Sequence, residues 1–151
     1  MSLANAFPED LRALSVTRQI VPGSVIKFVA RMDDGQEQEK RFVVLAVSDN
    51  TMTCVINSAI NPYIAERPHL MQCQVKMSPE QNPFMDHESY IDCSRIRTYA
   101  FGSIQKQLIT KPEWLLGEIN NALRIQILAA LKVSPNKPEP VSTCVLALTP
   151  A

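Results

Sequence analysis

The stretch that decides the fold is Arg41-Phe42-Val43-Val44-Leu45-Ala46-Val47, a nearly continuous apolar run behind one arginine. A short apolar run of this kind is typical of a β-strand that is buried on both faces. Ser48-Asp49-Asn50 supplies turn residues, and the segment from Thr51 to Asn57 is again rich in β-branched residues. We therefore expect two antiparallel strands, with the second pairing back on the first.

Further strands are predicted on both sides of this pair. Upstream, Val25-Ile26-Lys27-Phe28-Val29 is β-rich and Asp33-Asp34-Gly35 is a turn signal, which predicts a strand and a charged hairpin loop leading into the buried strand. Downstream, the segment from His69 to Lys76 alternates polar and apolar residues, and the segment from Ser89 to Arg97 is again strand-like. Between them, the segment from Ser78 to His87 contains prolines and is predicted to be a loop.

Helices are predicted near the two ends of the chain. Pro8-Glu9-Asp10 has the chemistry of a helix first turn, and it places Leu11 and Leu14 on one face of a short helix. Thr110-Lys111-Pro112-Glu113 is also a helix start. Apolar residues then recur at helical spacing for about five turns, up to Lys132.

The order of these elements predicts a mainly β protein with α: a small antiparallel β-barrel closed by a C-terminal helix. We expect residues 1–21 to form an N-terminal helical extension and residues 22–133 to form the barrel domain. Residues 134–151 are expected to be a proline-rich linker and a C-terminal segment, in which the stretch from Val141 to Leu148 docks as a strand or frays.

Composition limits the class of protein. The 151 residues are 46% hydrophobic and carry 15 Lys+Arg against 15 Asp+Glu, so the formal net charge is zero. The length and composition predict one globular domain, and the charge balance argues against binding nucleic acid by bulk charge. No apolar run is long enough to span a membrane, and residues 1–8 lack the pattern of a signal peptide, so we expect a cytoplasmic protein without a membrane partner.

The cysteines and histidines do not predict a metal site. The chain has four cysteines, Cys54, Cys73, Cys93 and Cys144. They form no C-x-x-C pair and are expected to be buried free thiols, and neither histidine has a second one at helical spacing. His87 with Cys93 or Ser94 would supply a base and a nucleophile, but a buried thiol beside a loop histidine is the favoured interpretation.

Charged residues are unevenly distributed along the second half of the chain. From Glu80 to Asp92 there are four acids and no Lys or Arg, and from Cys93 to Pro112 there are four bases and no acid. A nucleic-acid function would therefore come from a local patch. Tyr90 and Tyr99 either stack on bases or belong to the core, and the sequence leaves both interpretations open.

Arg41 is a candidate functional residue because an arginine anchored at the start of a buried strand, beside acids that orient it, can clamp a phosphate. Taken alone, the charged stretch from Gln36 to Arg41 is better explained as a solvated hairpin. The predicted strand pairing adds a second residue. Ser58 ends the next strand, so the hairpin brings Arg41 and Ser58 close together.

Together these segments resemble the MazF/PemK family of bacterial toxin endoribonucleases. The likeness begins with Pro22-Gly23-Ser24-Val25-Ile26-Lys27-Phe28, similar to the family's first strand, and continues through Lys40-Arg41 and the apolar strand after it. Cys54-Val55-Ile56-Asn57-Ser58 is similar to an apolar strand that ends in Thr or Ser, and Ile91-Asp92-Cys93-Ser94-Arg95-Ile96 looks like the family's D-Q strand. The segment 102–113 is similar to its turn and the start of its final helix.

The resemblance implies an SH3-like barrel that forms a homodimer and cleaves single-stranded RNA without metal or another cofactor, leaving a cyclic phosphate. It also implies an antitoxin protein as a partner that covers the site. Arg41 matches the family's catalytic acid or transition-state clamp, Ser58 matches the residue that helps to hold the scissile phosphate, and Asp92 matches an aspartate implicated in some members. Glu37 matches the acid of the family's G-x-E loop and is expected to support the site. The expected RNA-binding residues are Lys40, Arg95 and Arg97.

Two other functions fit the same sequence. One is a non-catalytic SH3-like module, an inactive or repurposed family member that binds a protein partner through the same groove. The other is a gyrase-directed toxin built on the related barrel. The sequence departs from the family where Arg41 precedes Phe42, because the family usually has a proline after this arginine.

Overall fold

A computed structural model describes residues 8–150. Residues 1–7 and residue 151 lie outside the described part of the chain. Residues 1–7 make up most of the N-terminal stretch in which the sequence shows no signal-peptide pattern. Within that part, the strands are β1 (Ser24–Arg31), β2 (Glu37–Val47), β3 (Asn50–Asn57), β4 (Gln74–Met77), β5 (Ser89–Asp92), β6 (Arg97–Ala100) and β7 (Leu115–Glu118). The α-helices are α1 (Pro8–Gln19), α2 (Pro62–Ala65), α3 (Pro68–Met71), α4 (Phe101–Thr110), α5 (Asn121–Val133) and α6 (Pro138–Leu148).

All strands belong to one antiparallel sheet with the order β4-β5-β3-β2-β1-β7, and β6 pairs with the other half of β3. In the β1–β2 hairpin, Val25 lies opposite Val43 and Arg31 lies opposite Glu37. The sheet curls into a half-barrel, and its edge strands β4 and β7 do not pair with each other within residues 8–150. The predicted mainly β architecture, an antiparallel SH3-like barrel with helices, is confirmed in this form.

Strand β2 lies in the middle of the sheet and is buried on both faces, as its apolar run predicted. Phe42, Val43, Val44 and Leu45 are all fully buried. Alternate side chains of a strand point to opposite faces, so the four residues contribute to two different hydrophobic clusters. The buried apolar run of β2 therefore positions the charged residues in the first half of the same strand.

Helices cover both faces of the sheet. On the α5–α6 face, Val43 and Ile56 pack in one cluster with Ile127 of α5 and Cys144 of α6. On the opposite α1–α4 face, the main contributors are Phe42 and Val44 of β2, Val16 of α1, Ile20 directly after α1, and Ile104 and Leu108 of α4. The apolar side chains of the two faces therefore account for the burial of β2.

The predicted five-turn final helix is wrong. Pro112–Trp114 forms a 3₁₀ turn, β7 follows, and α5 begins only at Asn121. Residues 115–118 instead pair with the edge of β1, and this tertiary pairing outweighs a helical periodicity that Gly117 weakens. The true start of the helix has a local signal, since the side chain of Asn120 accepts a hydrogen bond from the backbone of Leu123 at 2.8 Å.

The C-terminal segment is neither a strand nor frayed. Pro138 occupies the first turn of α6, a position that tolerates proline because the backbone N–H there has no helical partner. Cys144 and Leu148 are buried against the sheet. Helix α4 was also missed, because Gly102 was interpreted as a turn residue although Ile104 and Leu108 lie on one helical face.

Two predicted strands are shorter than expected. The segment from His69 to Lys76 begins in α3 and only its end belongs to β4, because Pro68 starts a helical turn. The segment from Ser89 to Arg97 is broken after β5, where the side chain of Asp92 accepts a hydrogen bond from the backbone N–H of Ser94 at 3.0 Å. An aspartate that bonds the backbone two residues on is a turn device.

The N-terminal helix is confirmed, but the face with Leu11 and Leu14 is not its buried face. Leu11 and Leu14 are 44% and 48% exposed, whereas Val16 and Ile20, near the C-terminal end of the helix, are each 2% exposed. The prediction of four buried free thiols is confirmed. No helix in residues 8–150 is long and apolar enough to cross a membrane.

Candidate functional site

Arg41 and Ser58 line one pocket, as the predicted strand pairing requires. Arg41 in β2 lies opposite Ile56 in β3, and Ser58 follows two residues later on the same face of the strand. The pocket has a volume of about 240 Å³. We call it the Arg41 pocket, and its lining residues are Lys27, Glu39, Lys40, Arg41, Ile56, Ser58, His87 and Ser89.

Two ion pairs organise the Arg41 pocket. Nζ of Lys27 lies 2.9 Å from Oε1 of Glu39. Nη1 of Arg41 donates a hydrogen bond of 3.0 Å to Oδ1 of Asp86. The same Oδ1 atom lies 2.6 Å from Nδ1 of His87. One carboxylate oxygen therefore joins an arginine and a histidine beside the pocket.

The carboxylate of Asp86 is kept ionised by these neighbours. The hydrogen bond from Arg41 and then that from His87 lower the pKa of Asp86 from its ordinary 3.8 to about 2. The Asp86 side chain is 70% exposed, so burial has little part in this shift. Asp86 therefore carries its negative charge throughout the neutral pH range.

The segment that carries Asp86-His87 is held by the core. Asn82 and Met85 are both 3% exposed, so the segment turns inward just before the acid and the histidine. The ring of Phe84 packs directly on Gly117 in β7, where a Cβ atom would lie 2.5 Å from Cδ1 of the ring. These contacts hold Asp86 and His87, which we call the Asp86-His87 dyad, beside the pocket although both side chains are exposed.

A second and larger pocket, of about 590 Å³, lies on the other side of β2 and β3. Lys40 directly precedes Arg41, and Asn57 directly precedes Ser58, so the side chains of Lys40 and Asn57 point to the opposite face of the sheet. Nζ of Lys40 donates a hydrogen bond of 3.0 Å to Oδ1 of Asn57. Lys40 and Ser58 border both pockets. We call the second one the Arg97 pocket, and its charged lining residues are Asp33, Lys40, Asp92, Arg95 and Arg97.

Arg95 and Arg97 both bind the carboxylate of Asp33 in the β1–β2 turn. Arg97 makes a two-pronged contact, from Nη1 to Oδ1 at 3.2 Å and from Nη2 to Oδ2 at 3.1 Å, and Arg95 adds a hydrogen bond from Nη1 to Oδ1. The hydrogen bond from Arg97 is the main cause that lowers the pKa of Asp33. Burial, followed by the charge of Arg97, lowers the pKa of Lys40. The three predicted RNA-binding residues thus line one pocket, in which Arg95 and Arg97 bind an acid of the protein itself.

The two predicted acidic residues lie away from Arg41. Asp92 is 7% exposed and faces the Arg97 pocket. Its Oδ1 accepts hydrogen bonds from Nε2 of Gln74 and from both the backbone N–H and the hydroxyl of Ser94. Glu37 is exposed opposite Arg31 and lines neither pocket.

Sequence reasoning missed the acid that lies in the Arg41 pocket, which is Glu39. Strand alternation contains this signal, since residues 39 and 41 of β2 share a face. Lys27 was also detectable, because its position in β1 pairs directly with Arg41 in the predicted hairpin. No local signal points to Asp86-His87, which reaches the pocket only through the packing of its loop.

Tyr99 belongs to the core. Its ring centroid lies 5.3 Å from that of Phe28 and 5.6 Å from that of Phe42. Tyr90 is half-buried, and its hydroxyl donates to Oε1 of Glu88 at 3.0 Å. Of the two interpretations left open by the sequence, the core one therefore holds for Tyr99.

The alternative nucleophile and base are not brought together. Cys93 is fully buried, whereas His87 is 49% exposed at its side chain and lines the Arg41 pocket. Ser94 lines the other pocket and donates its hydroxyl proton to Asp92. Within residues 8–150, no three His, Cys, Asp or Glu side chains are grouped so that they would hold a metal ion.

Comparisons with known proteins concern the arrangement of the chain and not its chemistry. No family model and no curated protein matches the sequence. Among solved structures, the chain is similar to the Mycobacterium tuberculosis toxin MazF-mt6, at 11% sequence identity and a TM-score of 0.47. The match covers 70% of this chain and 91% of that chain.

Proposed function

We propose that the chain is an endoribonuclease that cleaves single-stranded RNA at the Arg41 pocket, and that it is the toxin of a toxin–antitoxin pair. The observation that carries the enzymatic part is the convergence of two cations and a hydroxyl, from Lys27, Arg41 and Ser58, in one pocket. RNA supplies its own nucleophile, the 2′-hydroxyl. A protein therefore accelerates the cleavage by orienting the phosphate and stabilising the charge that develops on it.

Arg41 suits the role of a transition-state clamp better than that of an acid. A guanidinium keeps its proton at any physiological pH, but its planar fork offers five N–H donors. Asp86 occupies Nη1 only, so the fork is oriented while other donors remain for phosphate oxygens. The hydroxyl of Ser58 donates to another phosphate oxygen, and Lys27 adds a second positive charge.

The proposed reaction is an internal transfer. The 2′-oxygen attacks the adjacent phosphorus and forms a new O2′–P bond, while the P–O5′ bond breaks. The products are a 2′,3′-cyclic phosphate and a free 5′-hydroxyl. A base takes the proton of the 2′-hydroxyl, and the leaving O5′ gains a proton from water, to which the pocket is open.

The remaining predicted residues have supporting roles in this proposal. Lys40, Arg95 and Arg97 attract the RNA strand on the far side of Ser58, which borders both pockets. Asp92 acts as a positioning residue, because its hydrogen bonds hold the turn that carries Ser94 and leads into Arg95. Glu37 contributes only to the charge of the hairpin.

The test is cleavage of a labelled single-stranded RNA by the purified full chain in the presence of EDTA. We expect cleavage by the wild-type protein and a loss of about 100- to 1000-fold for Arg41→Ala, the range found when a transition-state donor is removed. Lys132→Ala is the matched control, because Lys132 is exposed on α5 and lines neither pocket. Full activity in Arg41→Ala would overturn the assignment of the site.

Two outcomes would favour the other functions. Intact RNA together with a specific protein partner captured through the Arg41 pocket would indicate a non-catalytic module. Intact RNA together with inhibition of a purified topoisomerase would indicate a gyrase-directed toxin. Induced expression in bacteria distinguishes both toxins from the binding module, since only a toxin arrests growth.

The proposed partners follow from the resemblance of the sequence to the MazF/PemK toxins. We propose that an antitoxin with an acidic segment covers the Arg41 pocket, where a carboxylate already binds the guanidinium. We also propose that two copies of the chain form a homodimer. Co-expression with the product of the adjacent gene tests the first proposal, and sedimentation equilibrium of the full chain tests the second.

A further inference from the structure

We propose that His87 is the general base of this cleavage, with Asp86 as the carboxylate that orients it. The inference rests on the proposed function and deepens it, because the reaction needs a proton acceptor for the 2′-hydroxyl. His87 lines the same pocket as Arg41 and Ser58. Neither the family resemblance nor strand pairing assigns it a role, and its alternative partners Cys93 and Ser94 lie away from it.

The hydrogen bond to Asp86 selects one form of the imidazole ring. Nδ1 of His87 lies 2.6 Å from Oδ1 of Asp86, and an ionised carboxylate only accepts hydrogen bonds. The proton of the neutral ring is therefore on Nδ1, and Nε2 carries the lone pair. Within residues 8–150, the only hydrogen bond of this ring is the one made by Nδ1. Nε2 is thus available as a base.

The same oxygen of Asp86 also accepts the hydrogen bond from Nη1 of Arg41, at 3.0 Å. The base and the phosphate clamp are therefore tied to one atom, so their relative position is set before substrate arrives. The loop that carries the dyad is in turn fixed by the buried Met85 and by the contact of Phe84 with Gly117. An ordered base next to an ordered clamp is what an internal transfer requires.

Other candidate bases are already engaged. Glu39 is paired with Lys27 at 2.9 Å. Asp86 accepts hydrogen bonds from both Arg41 and His87. Asp92 lies in the Arg97 pocket, where its Oδ1 accepts three hydrogen bonds. The charged groups around His87 are Lys27 of β1, Glu39, Lys40 and Arg41 of β2, Asp86 of its own loop, and the nearby Glu88, which pairs with Lys76 of β4.

The proton balance of the step is simple. Nε2 of His87 takes the proton of the 2′-hydroxyl as the O2′–P bond forms, and the ring becomes an imidazolium stabilised by Asp86. The P–O5′ bond breaks, and O5′ is protonated by water. The imidazolium then returns its proton to solvent, so the enzyme is regenerated with no oxidant, metal or second substrate.

The first test is the pH profile of single-turnover RNA cleavage by the full chain. For the wild-type protein, we expect the rate to fall at acidic pH, because protonation removes the lone pair of a histidine base. His87→Gln is expected to lower the rate about 100- to 10,000-fold at neutral pH and to remove this acidic limb. His69→Gln is the matched control, since His69 is exposed on α3 and lines neither pocket.

Added imidazole separates a chemical role from a structural one. We expect imidazole to restore part of the activity of His87→Ala and to have no effect on Arg41→Ala. A wild-type rate and an unchanged profile in His87→Gln would overturn the assignment of the base and leave the proposed function standing. Absence of cleavage by both the wild-type protein and His69→Gln would overturn the proposed function, and the role of His87 with it.

The orientation of the ring has its own test, which does not depend on activity. Nitrogen NMR of the histidine rings at neutral pH should show the Nδ1-protonated form for His87 in the wild-type protein. This preference should decrease in Asp86→Ala, because the acceptor is removed. An Nε2-protonated ring in the wild-type protein would contradict the proposal directly.

Discussion

The Arg41 pocket and the Arg97 pocket are built from the same parts in two different ways. Each contains an arginine bound to an aspartate from a neighbouring loop or turn. Arg97 gives both Nη atoms to Asp33, and only 11% of its side chain is exposed. Arg41 gives one Nη atom to Asp86, and 24% of its side chain is exposed.

This difference indicates which arginine has an Nη atom available for a ligand. The two-pronged pair occupies both Nη atoms of Arg97, so Arg97 serves mainly to hold the β1–β2 turn against β6. A single contact orients the fork of Arg41 and leaves donors for a ligand. The carboxylate of Asp86, which binds Arg41, also holds a histidine, whereas Asp33 holds only a second arginine. We therefore propose that RNA cleavage takes place in the Arg41 pocket and that the Arg97 pocket attracts the RNA strand.

The largest expected effect comes from replacing each arginine by lysine, which keeps the charge and removes the fork. Arg41→Lys is expected to lower the rate of RNA cleavage about 100-fold, because an ammonium cannot hold Asp86 and the phosphate in one plane. Arg97→Lys is expected to lower it less than about 10-fold. The measurement is single-turnover cleavage at saturating protein. Equal losses in the two variants would remove the distinction between the pockets.

The next effect concerns the loop that only the Arg41 pocket depends on. In Gly117→Ala, the new Cβ would meet the ring of Phe84 at 2.5 Å, so the ring and the loop must move. We expect a loss of about 1–3 kcal/mol in the free energy of unfolding, measured with urea, and reduced cleavage because Asp86-His87 shifts. Gly102→Ala is the matched control, since nothing lies within 4 Å of a Cβ there. Normal cleavage in Gly117→Ala would mean that the loop does not position the dyad.

The smallest effect is expected in the Arg97 pocket. Arg95→Ala removes an exposed charge and should weaken binding of a single-stranded RNA only a few-fold, with a decrease of about 0.7 in the slope of log Kd against log salt. Cleavage at saturating protein should stay unchanged. The check is fluorescence anisotropy over a salt series, with Lys132→Ala as the control. A large loss of cleavage by bound RNA would move Arg95 into the reacting site and contradict the division between the pockets.

Particular residues show how far sequence reasoning reached. The position of Ser58 beside Arg41 was predictable, because it depends only on a hairpin and on strand alternation. Gly117 falls inside the predicted final helix but lies in β7, since the pairing of residues 115–118 with β1 has no local signal. Asp92 was placed in the site by family resemblance, and its hydrogen bonds instead hold a turn.

By itself, the sequence determined the central strand, the hairpin before it and the meeting of Arg41 with Ser58. These features depend on residues close in the chain and on the two-residue period of a strand. Only the tertiary structure decided the helical C-terminal segment, the separation of the basic residues into two pockets, and the arrival of Asp86-His87 beside Arg41. Such features depend on long-range packing, such as that of Phe84 on Gly117, and the energy of a long-range contact is absent from the local pattern of residues.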